Sequence, residues 1–165
     1  MNGYGAFAAF YDALTDDVDY AAWADYLLAA FTRHGGCADT VLDLACGSGS
    51  LTAALCDEGI DVIGVDGSQD MLTLAMEKCP QSLLLCQDMR ELDLYDVVDG
   101  AVCTLDSFNH LLRTQDLAAV FDRLRRRWGE WAESARRSDR LSSANPQNHR
   151  LLERSSQCHI WTASW

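Results

Sequence analysis

The chain has 165 residues, 48% of them hydrophobic, which is enough for one domain with a substantial core. Its net charge of −12 argues against a phosphate-backbone partner, because proteins that grip nucleic acid carry a basic face. Apolar runs stay well short of 18 residues and no basic stretch precedes the first of them, so neither a membrane span nor a secretory leader is expected.

Helical spacing of apolar residues recurs over Tyr4 to Leu14 and Tyr20 to His34, the second with Trp23, Tyr26, Leu27, Ala30 and Phe31 on one side. Gly35-Gly36 ends that helix. Thr40 to Ala45 then reads as a strand, and Gly47 and Gly49 as a tight loop that opens into a helix over Ser50 to Asp57, broken at Glu58-Gly59. Without a Cβ, Gly47 and Gly49 let the backbone take positive φ and approach a ligand closely, and the amides of the helix that follows point outward. A nucleotide-like ligand fits such a loop. Asp43 interrupts the apolar run of the strand. A buried carboxylate is costly without a partner, so Asp43 is expected to hold an amine, a loop amide or a ligand cation.

Asp61 to Val65 forms the second strand, and Asp66 follows about 20 residues past the glycines, the spacing at which the next parallel strand supplies a ribose-binding carboxylate. Ser68 is placed to cap a helix over Gln69 to Lys78, with Asp70 in its first turn and Met71, Leu72, Ala75 and Met76 toward the sheet. Pro80 stops it. Leu83 to Cys86 reads as a short third strand of the fully buried parallel kind, and Asp99 to Cys103 as the fourth. Leu117, Ala118, Val120, Phe121 and Leu124 mark one more amphipathic helix. This alternation predicts a doubly wound, Rossmann-like α/β sheet, mostly parallel, with its ligand at the carboxyl ends of the strands.

Val41 to Leu55, Val62 to Leu72 and the tetrapeptide Gln87-Asp88-Met89-Arg90 resemble the first three motifs of the class I S-adenosylmethionine-dependent methyltransferases. Tyr4 to Phe7, Tyr11-Asp12 and Leu105 to Leu111 are similar to a bacterial branch of small methyltransferases, and the likeness covers roughly the first three quarters of the chain. The resemblance implies S-adenosyl-L-methionine as cofactor, a small-molecule acceptor and no metal. It places the cofactor against Tyr11, Asp43, Ala45, Gly47, Ser48 and Gly49, then Asp66, Gly67 and Met71, then Asp88, Met89 and Leu105. Tyr11 would close over the methionine end, with Tyr4 and Phe7 helping to form a lid; for Phe7 and Trp23 plain core packing is the favoured reading. Asp88 would accept from the adenine amino group, with Met89 against the ring. Asp106, Asn109 and His110 would lie under the transferred methyl group, His110 being the histidine placed for acid–base work.

The chemistry so implied is in-line attack by an N, O, S or C nucleophile on a sulfonium methyl, in which the protein positions two reactants and excludes water. A nicotinamide dinucleotide is the rival ligand, and a dehydrogenase the second activity class, but its fingerprint needs a third glycine where Thr52 stands. Seven cysteines, an odd number with no C-x-x-C pair, read as reduced core residues of a cytoplasmic protein rather than a disulfide framework or zinc site.

The charge is unevenly spread. Residues 1–122 carry −17 and residues 123–165 carry +5. After Leu124 the family pattern would give a Gly-Gly turn and another apolar strand, whereas this chain reads Arg125-Arg126-Arg127-Trp128-Gly129-Glu130-Trp131 and stays rich in Arg, Ser and Trp. No run of four β-favouring apolar residues occurs in 128–157. The expected organisation is therefore a partial methyltransferase domain over 1–124 and an irregular tail over 125–165, arising from a frameshift near residue 125. In the family strand order 3-2-1-4-5-7-6 the C-terminal strands would be missing and the fourth strand would be a bare apolar edge. A non-catalytic remnant that keeps the cofactor loop is the alternative to a working enzyme.

Overall fold

A computed structural model describes residues 5–33, 38–95, 98–105, 107–126 and 160–162. The elements run in the order α1 (Gly5–Leu14), α2 (Tyr20–Arg33), β1 (Thr40–Leu44), α3 (Ser50–Asp57), β2 (Asp61–Asp66), α4 (Gln69–Lys78), β3 (Leu83–Cys86) and β4 (Gly100–Cys103). A further helix, α5, covers 114–126, and β5 (Ile160–Thr162) follows. Short 3-10 turns lie at Met89–Glu91 and Ser107–His110. All the strand pairs are parallel, and the order across the sheet is β3-β2-β1-β4-β5.

Strand periodicity sorts the side chains into two layers. Leu42, Leu44, Ile63, Val65, Ala101 and Cys103 face one side, where Leu92, Leu94 and Val98 join them with Val120 and Leu124 of α5. Val41, Val62 and Val102 face the other, packed with Ala24, Leu27 and Phe31 of α2 and Leu51 and Leu55 of α3. Helices on both faces make the sheet doubly wound, as the alternation of apolar runs predicts. The Phe31 ring lies directly over Gly100, where an added Cβ would stand 2.1 Å from Cε1. At the amino ends of the strands, the Asp99 carboxylate accepts the amides of Asp39 (3.1 Å) and Thr40 (2.8 Å), tying β4 to the start of β1.

Local signals predict α4 well. Ser68 accepts the Met71 amide (3.4 Å), Asp70 lies in the first turn and Lys78 in the last, and Met71, Leu72 and Ala75 are buried. Met76 departs from expectation: it is 57% exposed, on the rim of the apolar stripe rather than against the sheet. Tyr26 of α2 is likewise exposed, while Leu27, Ala30 and Phe31 are buried. The third strand also differs from its prediction. Leu83 is 50% exposed and Cys86 is exposed, because β3 is the outermost strand among the described residues. An aliphatic run is the same in sequence whether its strand is central or at an edge.

The outer edge of β4, expected bare, carries β5. Ala101, Val102 and Cys103 pair with Ile160, Trp161 and Thr162, β-favouring residue types lying just beyond the 128–157 window. Arg125-Arg126, expected in the irregular tail, close α5; residues 127–159 and 163–165, Gly35-Gly36 and Tyr4 fall outside the described residues, as do the side chains of Phe7 and Asn109.

Candidate functional site

The sheet changes winding direction between β1 and β4, the place where open α/β sheets form a ligand crevice at their carboxyl ends. A cavity lies there. Ala45, Cys46 and Ser48 line it from the loop after β1, Thr104, Leu105 and Ser107 from the segment after β4, with Asp43 at its floor and Tyr11, Tyr20 and Leu51 around it. Two non-glycine residues with positive φ stand at these two strand ends, Ala45 (φ 61) and Leu105 (φ 54). Such backbone costs about 1–2 kcal/mol per residue, so the surroundings hold both turns in place.

The two loop glycines do different jobs. Gly47 (φ +55) has room for a Cβ, with only Tyr11 Cε1 at 3.8 Å, so glycine is needed there for its backbone conformation and leaves the Tyr11 ring against the loop. Gly49 (φ +79) has no such room: a Cβ would meet the Ala75 Cβ at 2.7 Å and Cα at 2.9 Å. It is a packing residue that lets α3 approach α4.

Asp43 is 1% exposed, and its partner is a side chain that sequence reasoning did not assign. The Thr52 hydroxyl donates to Asp43 Oδ2 at 2.7 Å. Asp43 lies on the sheet face that α3 covers, and Thr52, in the first turn of α3, is fully buried above it. The threonine that breaks the dinucleotide fingerprint thus satisfies the buried acid. Burial pushes the Asp43 carboxyl up to about 6, the Thr52 bond working against that rise and the nearby Asp66 charge adding to it.

Asp66 ends β2 beneath the same loop. Its Oδ2 accepts the Gly47 amide (2.9 Å) and its Oδ1 the Ser68 amide (2.8 Å), each oxygen keeping a second lone pair. Cys46 also lines the cavity, but burial pushes its thiol far above the ordinary range, and burial pushes Cys103 up to about 12. Both stay neutral, which makes them poor nucleophiles.

The remaining expected residues whose side chains are described stand apart from the cavity wall. Asp88 caps its 3-10 turn by accepting the Arg90 amide (2.9 Å), and both its oxygens also take the Arg90 guanidinium. That bonding holds its carboxyl below the usual range, although burial opposes it. Met89 packs against the core, Met71 is buried in α4, and Gly67 follows Asp66 at the loop edge. His110 ends the second 3-10 turn, exposed and off the cavity wall, and Asp106 lies outside the described residues. Among the described residues no three His, Cys, Asp or Glu side chains gather as a metal site would need, and no helix is long and apolar enough to cross a membrane. Sequence reasoning missed Tyr20, Cys46, Leu51, Thr104 and Ser107 as wall residues. Ser107 and Thr104 had a signal, since Ser107 lies within, and Thr104 just before, the segment after β4 in which the acceptor side was expected.

Residues 41–128 match a methyltransferase domain family. YqeM of Bacillus subtilis (strain 168) is 36% identical over 122 residues, covering 72% of this chain and 48% of that protein. A dTDP-3-amino-3,6-dideoxy-alpha-D-glucopyranose N,N-dimethyltransferase of Streptomyces fradiae is 33% identical over 121 residues, with the same coverage of 72% and 48%. Among solved structures, an S-adenosylmethionine-dependent methyltransferase from Clostridium acetobutylicum ATCC 824 superposes with a TM-score of 0.62 at 37% identity, over 73% of this chain and 51% of that one. The chain spans about half the length of the curated relatives it matches. Each of these matches bears on methyl transfer or its fold, and none supports the nicotinamide alternative. By its motif order, strand order and relatives, the chain belongs to the S-adenosylmethionine-dependent methyltransferases.

Proposed function

We propose that residues 1–124 form the cofactor half of a cytoplasmic methyltransferase that modifies a small-molecule nucleophile, and that the crevice between β1 and β4 takes S-adenosylmethionine. The observation that carries this reading is the buried Asp43 in the cavity lining, raised to about 6 with, among the described residues, the neutral Thr52 hydroxyl as its donor. An acid so placed favours a cationic ligand, which supplies the charge that burial has made costly to leave alone. Asp66 fits a ribose, since its oxygens can accept hydroxyls beside the two amides they already hold. Gly47, Ala45, Ser48 and Leu105 supply close backbone around the methionine part, Tyr11 covers it, and Gly49, Gly67 and Met71 support the loop from behind. On this reading Asp88 and Met89 meet the adenine only if Asp88 shares an oxygen between Arg90 and the ring amine.

Bound adenosylmethionine supplies an electrophilic methyl, so the chain's own work is to bind, orient and keep water out. Asp106, Asn109 and His110 are proposed for the acceptor side. The N,N-dimethyltransferase among the relatives acts on an amino sugar, and an amine acceptor fits an acidic body such as this one. Nucleic acid is disfavoured by the same charge. Buried free thiols at Cys79 and Cys103 fit a reducing compartment.

Calorimetry with adenosylmethionine, its demethylated product and NAD tests the assignment: the first two should bind and NAD should not. Binding of NAD alone would overturn it. The non-catalytic remnant predicts cofactor binding without turnover when amine acceptors are supplied. For the tail, coding DNA read in the other frames past codon 125 should reveal a Gly-Gly turn followed by an aliphatic strand, which would take the edge of β4 in place of Ile160–Thr162.

A further inference from the structure

Lys78 closes α4, and a lysine at a helix C-terminus is ordinary, since the helix dipole favours it there. A lysine serving that purpose alone needs no side-chain partners. Lys78 has three, one for each ammonium N–H: Asp12 Oδ1 at 2.7 Å, Ser50 Oγ at 2.7 Å and Ser48 Oγ at 3.1 Å. They come from three separate parts of the chain, α1, the start of α3 and the loop between the two glycines. Ser48 is 1% exposed and donates its own proton to Asp12, so the network has a buried root.

Phe10 and Leu14 add little apolar burial at the end of α1. Phe10 is 67% exposed and Leu14 63% exposed, so its apolar positions face solvent instead of a core. The residue beside Asp12 is Tyr11, whose ring lies against Gly47 and lines the cavity. Burial pushes the Asp12 carboxyl up, yet the bonds from Lys78 and Ser48 bring it below its ordinary value, which keeps the pair charged.

We propose that Lys78 is a positioning residue: its ammonium latches the end of α1, and with it Tyr11, over the loop after β1. Lys78 does not line the cavity itself; it acts through Asp12 and Ser48. The latch stands on the geometry alone, whereas its effect on cofactor affinity rests on the adenosylmethionine reading above. Its two charged ends are partly exposed (29% and 44%), which sets the scale. Exposed pairs are individually weak, and extra charge-assisted bonds strengthen them, so an effect of about three- to tenfold is expected.

Hydrogen exchange on the full chain without cofactor tests the latch. In Lys78→Met the amides of residues 10–14 should exchange about three- to tenfold faster while core-strand amides are unchanged, and Lys78→Arg should recover most of the protection. Adding Asp12→Asn to Lys78→Met should change little, because both act through one contact. Raising salt on the unaltered protein should speed the same amides selectively, a measurement that needs no variant to fold. Unchanged exchange in a folded Lys78→Met, or no selective salt effect, overturns the proposal, as do independent, multiplying effects of the two substitutions. Calorimetry with the demethylated cofactor then shows a matching loss in Lys78→Met. If the unaltered chain does not bind that ligand, the proposed function fails while the exchange result still decides the latch.

Discussion

The loop after β1 and the segment after β4 face each other across one crevice and are built in opposite ways. In the first, Asp66 holds the Gly47 amide, the Cys46 amide bonds back to the Val65 carbonyl, and the Gly49 amide closes onto the Cys46 carbonyl. Lys78 and Asp12 brace it from above. Across the crevice, the Ser107 amide and hydroxyl both bond the one Thr104 carbonyl, and Leu105 turns through positive φ between them. Among the described residues, the first wall bonds to β2, α1 and α4, whereas the bonds of the second run back to Thr104 and Cys103. Such a contrast suits a site whose constant ligand meets a pre-organised surface and whose variable ligand meets an adjustable one.

The sharpest way to break the rigid wall is at its glycines. Gly49→Val forces a Cβ onto the Ala75 backbone at a positive φ, and stability should fall by about 3 kcal/mol or more in urea unfolding. Gly47→Val, with room for the Cβ, should cost only about 1–2 kcal/mol of stability yet abolish measurable cofactor binding by calorimetry. If both variants lose stability equally, the two glycines do not divide packing from binding.

Next in size is Asp66→Ala. It removes the acceptor of two loop amides and, on the proposed reading, of the ribose hydroxyls, so cofactor affinity should drop by about 2 kcal/mol or more. An unchanged dissociation constant would take Asp66 out of the site.

Acidity gives a third test. Asp43 rises from 3.8 to about 6 on folding, so the folded chain holds that proton more tightly than the unfolded one between those values. Stability should therefore fall as pH climbs from about 4 to 6 and level off above. Binding of a cationic cofactor should move oppositely, tightening as Asp43 ionises. Asp43→Asn should flatten both profiles, and a surviving affinity change near pH 6 would point to another group.

The smallest effect concerns the strained turn. Ala45→Gly relieves φ 61 and should stabilise the chain by up to about 1 kcal/mol, read as a melting temperature a few degrees higher. A lower melting temperature would mean that unfolded-state entropy outweighs the strain.

What sequence could show of this site was local. The Ser68 cap, the extent of α4 and the acid at the end of β2 each depend on neighbours within a few positions, and all three stand where they were expected. Asp43 was legible as a buried acid needing a partner, but not which partner, because Thr52 reaches it only once α3 has folded back over β1. The Lys78 network joins residues 66 apart and left no periodic trace. Leu83 and Met76 were misplaced because exposure at an edge strand or a stripe rim is set by topology, not by residue type.

The stacking of Phe31 on Gly100 carries a consequence for how this sequence can drift. No side chain at position 100 has space while that ring remains, since even a methyl group would sit 2.1 Å from it. The ring, 2% exposed, cannot swing aside into solvent. The two positions must then change together: alanine at 100 demands a smaller residue at 31, and the order of substitution matters, shrinking the aromatic first being the passable route. Substitution at this point of the chain is thus steered by a pair of residues that do not line the crevice.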